Sequence, residues 1–113
     1  MSPPKYAAIR KIALGFPGAR EVEWHGDPWF VVGKKSFALF GAGHDKWILK
    51  LPQAQQMMLF DARPDTFTPM RAGRMVWSFI DVARLDAAEL KDLLTAAWKM
   101  VVTKKAAKAY ESA

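Results

Sequence analysis

Between Arg20 and Leu51 the chain breaks into four short apolar segments, each separated from the next by a few glycine-centred residues. That spacing constrains the fold more than any other feature. Parallel strands need crossovers of a dozen residues or more, so links this short leave only an antiparallel meander. The first segment, Arg20 to His25, alternates Val22 and Trp24 against Glu21, Glu23 and His25, as a half-buried strand does. Gly26-Asp27-Pro28 then forms a turn before a second strand from Trp29 to Val32. Gly33-Lys34-Lys35 turns the chain into a third strand, Ser36 to Phe40, and Gly41-Ala42-Gly43 breaks the run. The fourth strand spans Lys46 to Leu51, with Trp47, Leu49 and Leu51 on one face.

Helices flank this meander. Ser2 and Pro3 read as a cap and first position for a helix over Pro4 to Leu14, because Ile9, Ile12, Ala13 and Phe16 recur at helical spacing. Pro52 opens a short second helix to about Phe60, with Ala54, Met57 and Met58 expected on its inner face. Asp61 to Met75 has no clean period and reads as loop, with a turn of extended chain at Thr66 to Thr68. Val76 to Val82 is a fifth strand. Asp86-Ala87-Ala88-Glu89 has capping-box spacing and starts a last helix whose stripe is Leu90, Leu93, Leu94, Ala97, Trp98 and Val101. The lysine-bearing end, Lys104 to Ala113, is expected to fray. The order α-β-β-β-β-α-β-α segregates its elements. It predicts a two-layer α+β domain, an antiparallel sheet of about five strands with helices mainly on one face.

Composition bounds the function. A length of 113 residues suits one domain over residues 1–113, and 51% hydrophobic content with five Trp and seven Phe can fill a core. With no Cys there is neither disulfide framework nor thiolate nucleophile, which fits a reducing compartment. The opening Met1-Ser2-Pro3-Pro4-Lys5 carries no long apolar run, so a cytoplasmic protein off the membrane, and a monomer, is expected. His25 with Asp27, and His44-Asp45-Lys46, are the only groupings suggesting proton transfer, and no nucleophile or metal cluster accompanies them. Gly41-Ala42-Gly43-His44 leads into a strand, whereas a phosphate loop leads into a helix. Glu21 and Glu23 read as a solvated strand face. Neither enzyme chemistry, cofactor nor metal is expected.

What is left is charge and aromatic surface. Seventeen Lys and Arg against eleven Asp and Glu give +6, and the cations gather where the chain turns. Lys34 and Lys35 occupy one turn, Lys46 follows another, Arg71 and Arg74 lie in the long loop, and Lys104, Lys105 and Lys108 sit at the end. Mobile positive charge of this kind suits phosphate contact, so DNA is the first candidate partner. The alternative is a protein-interaction or small-ligand module that uses an apolar second sheet face around Trp29, Phe30 and Phe40. Trp24, Trp47, Trp77 and Trp98 all lie on apolar stripes and read as core.

The run Phe16-Pro17-Gly18-Ala19, then Glu23-Trp24, then Trp29-Phe30-Val31-Val32-Gly33-Lys34-Lys35-Ser36-Phe37-Ala38 resembles the signature region of the MmcQ/YjbR-like proteins. Leu49-Lys50 before a Pro-started helix, a Trp77-centred strand, and a helix ending in Val101-Val102 before lysines resemble the rest of the pattern. The resemblance implies a compact α+β domain with a double-wing arrangement, proposed to bind DNA. It points to the Gly33-Lys34-Lys35 turn, Lys50, and the Arg71 and Arg74 loop.

Overall fold

The computed structural model describes residues 4–41, 43, 45–70 and 76–112. Four helices and six strands follow in the order α1 (Tyr6–Leu14), β1 (Ala19–Trp24), β2 (Asp27–Val32), β3 (Lys35–Gly41), β4 (Lys46–Lys50), α2 (Gln53–Ala62), β5 (Phe67–Pro69), β6 (Trp77–Ile80), α3 (Ala87–Lys99) and α4 (Lys104–Glu111). A single 3₁₀ turn, Val82–Arg84, precedes α3. The strands form one antiparallel sheet in the order β1-β2-β3-β4-β6-β5. The α+β class and the meander are therefore as expected. The sheet has six strands and not five, because the extended stretch in the long loop pairs with β6 as a short edge strand.

Local chemistry sets the hairpins. The β1–β2 turn is His25-Gly26, both with positive φ (51° and 85°), the type I′ geometry that matches strand twist. This corrects the expected Gly26-Asp27-Pro28 turn: Asp27 pairs with Trp24, and Pro28 sits inside β2 opposite Glu23. Proline is tolerated there because the β2–β3 ladder begins only at Trp29. Gly33, with φ 62°, makes the β2–β3 turn.

Alternation along the strands sorts the residues onto two faces. Phe30, Ala38, Phe40, Trp47, Leu49, Ile80 and Phe67 join Ile9, Ala13, Leu90, Leu94 and Trp98 in one core beneath the helices. The register pairs Phe30 with Ala38 and Val31 with Ser36, leaving Phe37 as an extra residue in β3. That bulge lets consecutive residues Phe37 and Ala38 both enter the core. Val31, Leu39 and Ile48 are buried outside that core cluster, on the other face, beside half-buried Trp29, Trp77 and Phe79. Phe30 and Phe40, at 0% and 6% exposure, are core residues. They cannot line an apolar second face with Trp29, since neighbouring residues of a strand point to opposite sides.

Trp47 and Trp98 are buried, as their stripes predicted, whereas Trp24 is 57% exposed and Trp77 half-buried. Both of the latter lie on the face away from the helices, and β1 is also the sheet edge. Trp98 stacks on Phe16 with ring centroids 5.4 Å apart, and its indole N–H donates to the Pro17 carbonyl at 3.1 Å.

Three further expectations are revised. The first helix starts at Tyr6, and the predicted cap at Ser2 and Pro3 lies outside the described residues. In α2, Met57 and Met58 face solvent (64% and 63% exposed) and Gln56 is the buried residue. The Gln56 amide donates to the Leu51 carbonyl at 2.9 Å and accepts from the Ser78 hydroxyl at 2.7 Å, so a buried polar pair docks this helix where methionines were expected. The C-terminal segment forms α4, with the Thr103 hydroxyl capping it at the Ala106 N–H. Tyr110 anchors it, 5.1 Å from the Trp98 ring and 5.6 Å from Phe16. The α3 capping box is present as predicted: the Glu89 N–H donates to the Asp86 carboxylate at 2.8 Å.

Two stability measurements test this packing. Gln56→Leu leaves the buried Ser78 hydroxyl without its acceptor and should cost about 1–3 kcal/mol in urea unfolding. Adding Ser78→Ala should recover part of that loss, and a neutral single variant would contradict the polar docking. Lys104 and Lys105 stand in the first turn of α4, where the helix dipole disfavours cations, and that turn holds no acidic residue. Lys104→Glu should therefore stabilise the protein by roughly 0.3–1 kcal/mol at low salt, and less as salt is added.

Candidate nucleic-acid interface

The β2–β3 hairpin and the end of β4 bring separate cations to one end of the sheet. Gly33 turns the chain so that Lys34 and Lys35 project from the hairpin tip, both exposed. Antiparallel pairing of β3 with β4 carries Lys50 to that same end, since Leu49 lies opposite Ala38. Lys50 sits over the Trp77 ring, its ammonium 5.1 Å from the ring centroid. Burial pushes the Lys50 ammonium below its ordinary pKa, and the positive charge of Lys35 pushes it further. Arg20 completes the group from β1, donating to the Gly33 carbonyl at 3.0 Å.

Among the described residues, no carboxylate forms an ion pair at this end. Arg10 pairs with Glu21, Arg63 with Glu89, Arg84 with Asp65 and Asp81, and Lys99 with Glu111. Among the described residues, Arg20, Lys34, Lys35 and Lys50 make no ion pair.

The other expected cations are distributed. Lys46 opens β4 opposite Gly41, at the far end of the strand. Four residues of extended chain place it about 13 Å from Lys50. Lys104 and Lys105 are exposed on the separate helix α4. Arg71 and Arg74 lie outside the described residues, in the connection between β5 and β6. Just after those residues, the Val76 carbonyl accepts from the Leu51 N–H at 2.7 Å, next to Lys50. Lys46 therefore stands apart from the cations gathered at the hairpin end. Arg20 was missed in sequence because only the register, Arg20 opposite Val31, carries it to the hairpin end.

His25 lies in an exposed turn with its ring edge against Trp24 (centroids 5.1 Å), and His44 is outside the described residues. Among the described residues, no group of three or more His, Cys, Asp or Glu side chains could hold a metal. No helix among them is long and apolar enough to cross a membrane.

The hairpin block that carries Lys34 and Lys35 falls within a stretch, residues 14–100, that matches the family model YjbR. The chain belongs to the YjbR family. Its fold is similar to that of Deinococcus radiodurans protein DR2400, described as a DUF419 domain, with a TM-score of 0.71 at 21% identity over 91% of this chain and 85% of that one. At that identity the likeness speaks for the fold. No curated protein matches the chain significantly. The family match covers the Lys34, Lys35 and Lys50 positions and ends before α4, so Lys104 and Lys105 lie beyond it.

The Lys50 environment makes a signed prediction. A lysine whose folded pKa is lowered binds its proton more weakly than in the unfolded chain, so this group makes stability rise with pH between its folded and unfolded values. Lys50→Met should flatten that alkaline rise. In an NMR titration of the Lys50 side chain, Lys35→Gln should move the midpoint upward while leaving it below the ordinary lysine value, because burial is the larger cause. An unchanged midpoint would show that the two ammonium groups do not sense each other.

Proposed function

We propose that this YjbR-family protein binds nucleic acid without catalysis, gripping the phosphate backbone with Lys34, Lys35, Lys50 and Arg20. The observation that carries the reading is the gathering of these cations, without carboxylate partners, at one end of the sheet. Burial and the nearby Lys35 raise the cost of charging Lys50, and a bound phosphate relieves that cost. Lysines on a tight hairpin are point charges suited to phosphate. Base reading needs a planar Arg, Asn or Gln at groove depth, so affinity in this reading is largely sequence-independent. Arg71 and Arg74, outside the described residues, are further candidate phosphate contacts, while Lys46, Lys104 and Lys105 are auxiliary contacts. A protein-interaction surface is the second reading. It is favoured by the exposure of Trp24, whose ring lies 6.1 Å from Trp29 on the face without helices.

Titration of a labelled DNA duplex across a salt series tests the first reading. Four phosphate contacts predict a slope of log K against log salt of about −3 to −4. Lys34→Glu with Lys35→Glu should abolish binding near physiological salt, whereas Lys46→Glu should weaken it only slightly. Affinity independent of salt, or equal losses from Lys46→Glu and from the hairpin reversal, would contradict the proposed grip.

A further inference from the structure

The outer edge of β1 is the most distinctive surface that phosphate binding leaves unused. β1 ends the sheet, and its six residues pair on one side only, with β2. The two-residue His25-Gly26 turn makes Trp24 and Asp27 the closing hydrogen-bonded pair, so Val22 with Trp29 and Arg20 with Val31 are bonded as well. The intervening residues, Glu21 and Glu23, then point their N–H and C=O groups away from β2. Pro28 supports this assignment, because it lies opposite Glu23 and has no N–H to offer. Among the described residues, no backbone hydrogen bond outside the sheet ladder uses these groups.

Helix α1 runs beside this edge. Tyr6, Arg10 and Leu14, each four residues on from the last, form one wall of an open cleft of about 670 Å³, and β1 from Ala19 to Glu23 forms the other. A cleft between an edge strand and a helix is the geometry in which an added strand gains main-chain hydrogen bonds from the edge and side-chain specificity from the helix. The two faces of β1 state what such a strand would carry. Towards α1 lie Glu21, held by Arg10 at 2.7 Å and by the Tyr6 hydroxyl, and the exposed Glu23. On the opposite face lie half-buried Val22 and Trp24, the indole left exposed for want of a neighbour on its outer side. Cross-strand neighbours favour opposite charge against Glu23 and an apolar or aromatic side chain against Val22 and Trp24.

We propose that β1 is a strand-addition site for an extended segment of another protein, one that sets a basic residue against Glu23 on the α1 side and apolar residues towards Val22 and Trp24. A second copy of this chain is a poor occupant. Antiparallel pairing of two β1 edges centred on Val22 sets Glu21 of one copy against Glu23 of the other, like charges in direct opposition.

The test uses the full chain and two fluorescein-labelled hexapeptides, alternating Lys-Val and alternating Glu-Val, read by anisotropy and by amide hydrogen exchange. The Lys-Val peptide should bind more tightly and slow exchange at the Glu21 and Glu23 amides. Glu23→Lys should reverse the preference between the peptides, each altered pair changing affinity by up to about fivefold. Trp24→Ala should weaken the Lys-Val peptide without altering that preference. Glu23→Pro, which removes an outward N–H and no ladder bond, should abolish amide protection at Glu21. Should that variant unfold, the exchange readout on the unaltered protein decides alone. Equal binding of both peptides, binding without protection of the two amides, or protection arising from dimerisation in the absence of peptide would each overturn the proposal. Duplex DNA titrated into Glu23→Lys and Trp24→Ala should still bind, which separates this site from the phosphate grip.

Discussion

Among the described residues, helices cover only one side of this sheet, and alternation along six antiparallel strands forces every strand residue to belong to the covered side or the other. The fold depends on that division. Phe30, Phe40, Trp47 and Leu49 pack under α1 and α3, with Trp47 edge-on to Phe40 at 5.4 Å and stacked on Phe30 at 6.3 Å. The residues between them, Trp29, Leu39 and Ile48, face the side without helices. The bulge at Phe37 is the point where β3 breaks strict alternation, and it places one more aromatic ring in the core, edge-on to Phe16 at 6.3 Å.

The helical layer is closed by a second set of contacts that begins at the same aromatic cluster. Phe16 lies directly after α1, stacks on Trp98 of α3 and meets Tyr110 of α4, so three helices converge on one ring. At the other side of the layer, Lys5 donates to the Leu85 carbonyl at 2.7 Å, and Arg63 pairs with Glu89, the residue that also completes the α3 capping box. The polar contact between Gln56 and Ser78 docks α2 to β6. Hydrogen-bonded polar groups thus do at the margins of the layer what apolar rings do at its centre, and they leave Met57 and Met58 outside.

Function follows from what the division leaves uncovered. Hairpin tips lie in neither layer, so Lys34 and Lys35 stay solvated at the turn. Lys50, at a strand end, is drawn partly under cover against Trp77 and feels Lys35 as a like charge. The β1 edge is left over because the sheet does not close on itself, and its glutamates and Trp24 occupy opposite sides of one strand. A cationic end and an acid- and tryptophan-bearing edge therefore coexist on a chain whose net charge of +6 hints only at the first.

Sequence alone determined the antiparallel meander, the α+β class, the α3 cap and stripe, and the cationic turn at Lys34 and Lys35, since each is a local matter of spacing, turn chemistry or capping. It misread α2, because buried amide and outward methionines invert the usual amphipathic pattern. It also took the end of the chain for a fraying tail, since α4 owes its place to Tyr110 docking on Phe16 and Trp98, contacts that span 94 and 12 residues. Only the tertiary structure decided which face of each strand the helices cover, and hence that Phe30 and Phe40 are core while Trp24 is surface. Only strand register decided that Arg20 and Lys50 join the hairpin lysines and Lys46 does not, because neighbours in a sheet are set by pairing across strands and not by distance along the chain.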